Sequence, residues 1–216
     1  MIKAVLFDMD GTITDTERIY NRMWQESAHE LGYSMFSYED ALDLRSLNHE
    51  DAHKMFAERY DGVIDIEAVR ALCREKVAAE LKENGIPLKP GLKEILAYLR
   101  QHGLKSAIVT ANVLDKARKR LEMAGLQNEF DEVISAHEVP HGKPYPDPYL
   151  YACEKLGFSP KDCLAVEDSP NGALSAIRAN CPTVMVPDLT EPDDELRTRL
   201  FAVCPSLDAI IEILNS

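Results

Sequence analysis

Two aspartates, Asp8 and Asp10, stand two residues apart in "VLFDMDGTITD" (5–15), where an apolar run gives way to a turn. Residues two apart on a strand point to the same side. Two carboxylates so placed repel each other, and each resists burial. One reading is an ordinary strand end, because Asp and Gly are common turn residues. The other is chemistry, with something positive sitting between the acids. Mg²⁺ suits them, since it takes a few carboxylates, waters and a phosphate oxygen at about 2.0–2.1 Å. Such an ion would offset the repulsion and hold Asp8 ionised. Asp8 could then attack phosphorus. Asp10, one pleat away, could hand a proton to the leaving group and then take one from water.

Three further polar signals follow apolar runs. "KSAIVT" (105–110) leads into Thr110, Ala111 and Asn112. "EVISA" (132–136) is followed by "HGKPYPDP", where Lys143 sits between Gly142 and Pro144 in a loop stiffened by proline. "CLAVED" (163–168) ends in Glu167 and Asp168, with Ser169 behind them. Each has a plain reading: a satisfied hydroxyl for Thr110, an exposed loop lysine for Lys143, a helix cap for Asn112 and for Glu167–Asp168. Their joint order is more specific than any one of them. In a parallel sheet, strand ends of one kind lie along one edge. Asp8, the Asp10 main-chain carbonyl and Asp168 would then offer oxygens to one Mg²⁺. Thr110, Lys143 and the N–H groups of the loop at Ala111 and Asn112 would hold phosphoryl oxygens. Positioning and charge neutralisation are most of what phosphoryl transfer needs.

The elements that must bring these residues together can be read from the same sequence. "KAVLFD" (3–8), "KSAIVT", "EVISA", "CLAVED" and "TVMVPD" (183–188) are continuous apolar runs, which suits strands covered on both faces. Helical spacing fills the gaps: Leu92, Ile95, Leu96 and Leu99 in 91–103; Leu114, Ala117, Leu121 and Ala124 in 114–125; then 147–157 and 170–180. The alternation predicts an α/β fold, a Rossmann-like parallel sheet with helices on both faces. From about Thr16 to Gly85 the alternation breaks, and the composition turns to helix formers. We read 16–85 as an inserted α-helical cap domain on a core of 1–15 and 86–216, placed to act as a lid over the strand ends. Within it, Trp24, Arg45, His49 and Lys76 are the residues to weigh for substrate contact. Trp24 lies on an apolar stripe with Tyr20, and the other three are of types that usually sit on solvated surface. "PDLTEPDDELRTR" (187–199) reads as a surface loop leading into a short helix, before a final helix.

Composition narrows the function. The 216 residues carry a net charge of −13, which argues against nucleic acid and anionic membranes, both of which need a basic face. The chain shows no membrane-spanning run and no signal-peptide pattern, and its five cysteines make no C-x-x-C pair. We expect a cytoplasmic protein with buried free thiols, and nothing in the sequence demands an oligomer.

The set "DMDGT" (8–12), "VTAN" (109–112), "GKPYPDPY" (142–149) and "EDSPNG" (167–172) resembles the haloacid dehalogenase superfamily, in its β-phosphoglucomutase-like phosphatase branch. The resemblance extends over nearly the whole chain, helical insert included. It implies that Asp8 is a nucleophile passing through an aspartyl-phosphate and Asp10 a general acid/base. It makes Thr110 and Lys143 phosphate binders. Asp168 becomes a Mg²⁺ ligand, with Glu167 bound directly or through water. It also puts substrate-recognition residues in the loop 43–51, which holds Arg45 and His49. The implied activity is hydrolysis of small phosphorylated metabolites. The alternative is a sugar phosphomutase, from whose pattern the chain departs at Tyr20, where the mutases have histidine, and at His49, where they have arginine. Asp10 argues against a dehalogenase, whose first motif lacks a second Asp. A non-enzymatic phospho-switch of the receiver kind would place its aspartate on a later strand and have no helical insert.

Overall fold

The continuous apolar runs form strands β1 (Ala4–Phe7), β2 (Lys105–Thr110), β3 (Glu132–Ser135), β4 (Cys163–Glu167) and β5 (Thr183–Met185) in the computed structural model, which describes residues 1–44 and 49–215. A sixth strand, β6 (Ala202–Val203), escapes the sequence pattern because two residues are too short to show a period. Every pairing is parallel, in the order β3-β2-β1-β4-β5-β6. This is the Rossmann-like α/β sheet that the alternation predicts. The chain builds outward from β1 to β3, then returns to the other side of β1 to lay down β4. The order therefore reverses between β1 and β4, the place where such sheets bind ligands.

The chain divides into two compact units, Met1–Asp15 with Ile86–Ser216, and Thr16–Gly85. In the first, the two sheet faces differ. Val5, Phe7, Ile108, Leu164, Val166 and Val184 pack one face against α5 (Leu92–Gln101), α6 (Leu114–Met123) and α10 (Ile210–Leu214). Burying each large apolar side chain there contributes about 1.5–3 kcal/mol. The opposite face is built from smaller residues, with Ala4, Ala107, Cys163 and Ala165 beside Leu6 and Val109. Against it lie α7 (Asp147–Leu156), which brings the buried Tyr149, and α8 (Pro170–Arg178). The segment after β5 forms α9 (Asp194–Arg199), the short helix read in 187–199.

The second unit is helical: α1 (Glu17–Glu30), α2 (Tyr38–Leu44), α3 (His49–Tyr60) and α4 (Ile66–Asn84). Asp65 caps α4 by accepting from the Glu67 and Ala68 N–H groups, and Gly85 ends it. Phe36, Phe56, Ile64, Ile66 and Val69 form its core. Buried Asp40 ties α2 to α3: Ser37 N–H, Arg59 and the Tyr60 hydroxyl all donate to its carboxylate. Burial alone would raise this carboxyl, but the bonds from Tyr60, Ser37 and Arg59 outweigh it and bring the pKa down to about 2. All five cysteines are free and buried. Among the described residues, no helix is long and apolar enough to cross a membrane.

Candidate active site

After Phe7 the chain curls into a tight loop closed by backbone hydrogen bonds. Asp8 N–H still bonds across to the Val166 carbonyl at 2.9 Å, extending the β1–β4 pairing by one residue. The Ile13 and Thr14 N–H groups both return to the Met9 carbonyl at 3.0 Å, and Gly11 N–H donates to the Thr14 carbonyl at 2.8 Å. Gly11 adopts φ 89°, a left-handed conformation that glycine takes without strain. Met9 and Ile13 are fully buried beneath the curl. The buried Met9 and Ile13 side chains and these hydrogen bonds hold the loop in place.

The strand period sends Asp8 to the small-residue face with Ala4 and Leu6, and Glu167 to the same face with Cys163 and Ala165. There Lys143, from the loop before α7, donates to Asp8 Oδ1 at 2.5 Å, to Glu167 Oε1 at 2.6 Å and to the Val109 carbonyl at 2.8 Å. The Tyr149 hydroxyl donates to Glu167 Oε1 at 2.5 Å, and its ring lies 5.3 Å from the Lys143 ammonium. Burial, together with the neighbouring carboxylates Glu167 and Asp168, pushes the Asp8 carboxyl well above its usual range, and Lys143 opposes them. Burial works against the charge on Lys143, yet Asp8 and Glu167 outweigh it and hold the ammonium protonated. Asp168 is 3% exposed and accepts from the Thr12 hydroxyl at 3.4 Å.

Asp10 has partners of its own. Its Oδ1 accepts from Arg120 Nη1 on α6 at 2.6 Å, and its Oδ2 from Asn112 Nδ2 at 2.5 Å. Asn112 is in turn bound to Thr110 Oγ1, through both its main-chain N–H and its side chain, at 3.1 Å each. The Ser135 hydroxyl donates to the Asn112 carbonyl at 2.7 Å. Thr110 is buried, and Ala111 is exposed in the turn that follows it. Asp8 and Asp10 thus have separate partners, each with its own side-chain cation. Arg120 does not stand out in the sequence. Arg118 and Arg120 flank the Ala117–Leu121 stripe on either side, so helical spacing alone does not choose between them. Tyr149 could have been singled out, since it lies inside the "GKPYPDPY" segment.

Asp8, Glu167 and Asp168 each offer an oxygen, all within 4.8 Å of one another. With all three ionised, the carboxylates would outweigh Lys143 by two negative charges, the charge that a divalent cation would balance. The hard oxygen set suits Mg²⁺. The Asp10 carboxylate is outside this group, leaving its main-chain carbonyl as the part of Asp10 expected to bind metal.

The four candidates for substrate contact belong to the helical unit. Trp24 packs against that unit's own core, with the Arg70 guanidinium 6.0 Å from its ring centre. Lys76 pairs with Glu30 at 2.6 Å. His49 opens α3. Arg45 lies outside the described residues.

These acids stand at the ends of parallel strands beside a loop lysine, and the chain belongs to a known enzyme family with a parallel α/β sheet. The family model for haloacid dehalogenase-like hydrolases matches residues 5–186. Among curated relatives, hexitol phosphatase B of Escherichia coli (strain K12) is 32% identical over 189 residues, covering 86% of this chain and 84% of that protein. A crystal structure of CbbY from Rhodobacter sphaeroides in complex with xylulose-(1,5)bisphosphate superposes with a TM-score of 0.76 at 25% identity, covering 97% of this chain and 96% of that one. The β-phosphoglucomutase of Clostridium difficile shares the fold, with a TM-score of 0.74 at 24% identity, covering 100% of this chain and 96% of that one.

Proposed function

We propose that the protein is a Mg²⁺-dependent phosphatase of small, sugar-phosphate-like metabolites, working through an aspartyl-phosphate on Asp8. The observation that carries this reading is the buried group of Asp8, Glu167 and Asp168, the first two sharing Lys143, at the point where the strand order reverses. Hexitol phosphatase B by name, and CbbY by its bound xylulose bisphosphate, support the substrate class.

Asp8, Glu167 and Asp168, with the Asp10 carbonyl, would hold Mg²⁺, which when bound supplies positive charge against the carboxylates and the phosphoryl oxygens. The Asp8 carboxylate attacks phosphorus while Lys143 and Thr110 hold the oxygens that gain charge. Asp10 gives its proton to the departing alkoxide. It then takes a proton from the water that attacks the Asp8–phosphate bond, which frees phosphate and restores Asp8.

The test is phosphate release over a panel of sugar phosphates, nucleotides and an aryl phosphate, with Mg²⁺, with EDTA and with Asp8→Asn. Turnover should need both Mg²⁺ and Asp8. Release that survives Asp8→Asn would refute the assignment. Conversion of β-glucose 1-phosphate to glucose 6-phosphate without net phosphate release would favour the mutase.

A further inference from the structure

We propose that Arg120, on α6, is the positioning residue that aims the Asp10 carboxylate for proton transfer. The inference rests on the reading of Asp10 as the acid/base. The loop holds the Asp10 backbone in place through the Gly11–Thr14 hydrogen bond and the bridge between Asp10 and Thr14. A fixed backbone does not fix a carboxylate, which still turns about two side-chain bonds. Proton transfer requires the carboxylate oxygen within about 2.6–3.2 Å of its partner, and a misplacement of about 1 Å can cost on the order of 100-fold in rate.

The donors from Arg120 and Asn112 engage different oxygens of Asp10, and together they set both torsions. They come from one firmly held piece of the fold. Asn112 is braced by Thr110 and Ser135, and α6 is anchored through buried Ala117 and Leu121. The Arg120 and Asp10 side chains are 19% and 17% exposed, so the pair is not a solvated surface bridge of little consequence. A guanidinium suits the task better than an ammonium, because its planar fork gives hydrogen bonds of fixed direction.

A simple tie between the loop and α6 would use the same contact, so the test must read proton transfer itself. kcat/KM reports the steps up to departure of the leaving group. An alkoxide needs a proton at that point, whereas p-nitrophenolate does not. Arg120→Gln should lower kcat/KM for an alkyl phosphate such as a hexitol phosphate by about tenfold or more. It should leave kcat/KM for p-nitrophenyl phosphate within about threefold, and inhibition by inorganic phosphate unchanged. Arg120→Lys should fall between Arg120→Gln and wild type, and it carries the same comparison should Arg120→Gln fail to fold. Equal losses on both substrates, or no loss on either, would overturn the inference. Asp10→Asn is the reference. If it shows the alkyl–aryl split and Arg120→Gln does not, Arg120 alone is dismissed. If Asp10→Asn lacks the split, the reading of Asp10 fails and the role of Arg120 falls with it.

Discussion

A methyl group at residue 172 would stand 2.0 Å from Glu167 Oε2, closer than any real contact. Gly172 lies in the first turn of α8, where its N–H donates to Ser169 Oγ at 3.2 Å, and the Glu167 carboxylate fills the space that its missing side chain leaves. Glu167 cannot retreat freely, because Lys143 and Tyr149 hold it from the other side. Gly172→Ala should therefore displace the carboxylate or strain α8, at a cost of about 1–3 kcal/mol. We expect the variant to lose most of any melting-temperature rise that Mg²⁺ gives the wild-type protein, together with most of its phosphatase activity. Thermal melts with Mg²⁺ and with EDTA make the comparison. A Mg²⁺ response equal to that of wild type would show that Glu167 takes no part in holding the ion.

In the helical unit, the Asp40 tie between α2 and α3 makes an acid-sensitive contact. Its folded pKa, about 2, lies below that of a free aspartate. Such a group stabilises the fold fully above about pH 4, and the contribution fades as pH falls toward about 2. Arg59 is partly exposed, so we put the contribution at about 1–2 kcal/mol. In urea unfolding, the advantage of wild type over Asp40→Asn should be present at pH 6 and mostly gone near pH 2. A constant difference across that range would contradict it. The elements themselves were largely legible in the sequence. Buried parallel strands announce themselves as unbroken apolar runs, and α5 to α8 show the spacing of a half-buried helix. β6 did not, because its pairing is made by backbone groups that leave no mark on residue type. Asp8, Glu167 and Asp168 were legible because charge at the end of a buried run demands a reason, and Lys143 because a proline-stiffened loop frames it. The Arg120 contact with Asp10 was not, because it depends on how the loop curls after Phe7 and on which side of α6 meets it.

At the scale of the whole chain, we propose that 1–15 with 86–216 folds as a domain without 16–85. The segments on either side of the insertion are held beside each other within the sheet unit. Asp15 N–H donates to the Pro87 carbonyl at 2.8 Å, and Lys89 N–H to the Ile13 carbonyl at 3.0 Å. Lys89 Nζ reaches Asp188 at 2.9 Å and Asp15 at 3.5 Å. Closing a short flexible linker across ends already adjacent costs little entropy. A chain with 16–85 replaced by a short Gly/Ser linker should keep its sheet signal in circular dichroism and unfold cooperatively in urea. A soluble product that lacks a cooperative transition would refute the division. The paired crossings also bear on descent. Two breakpoints that lie side by side let an ancestral gene trade the intervening segment for another in a single event, without reshaping the strands or their acids. The acids at the strand ends and the sequence of 16–85 could then be inherited separately.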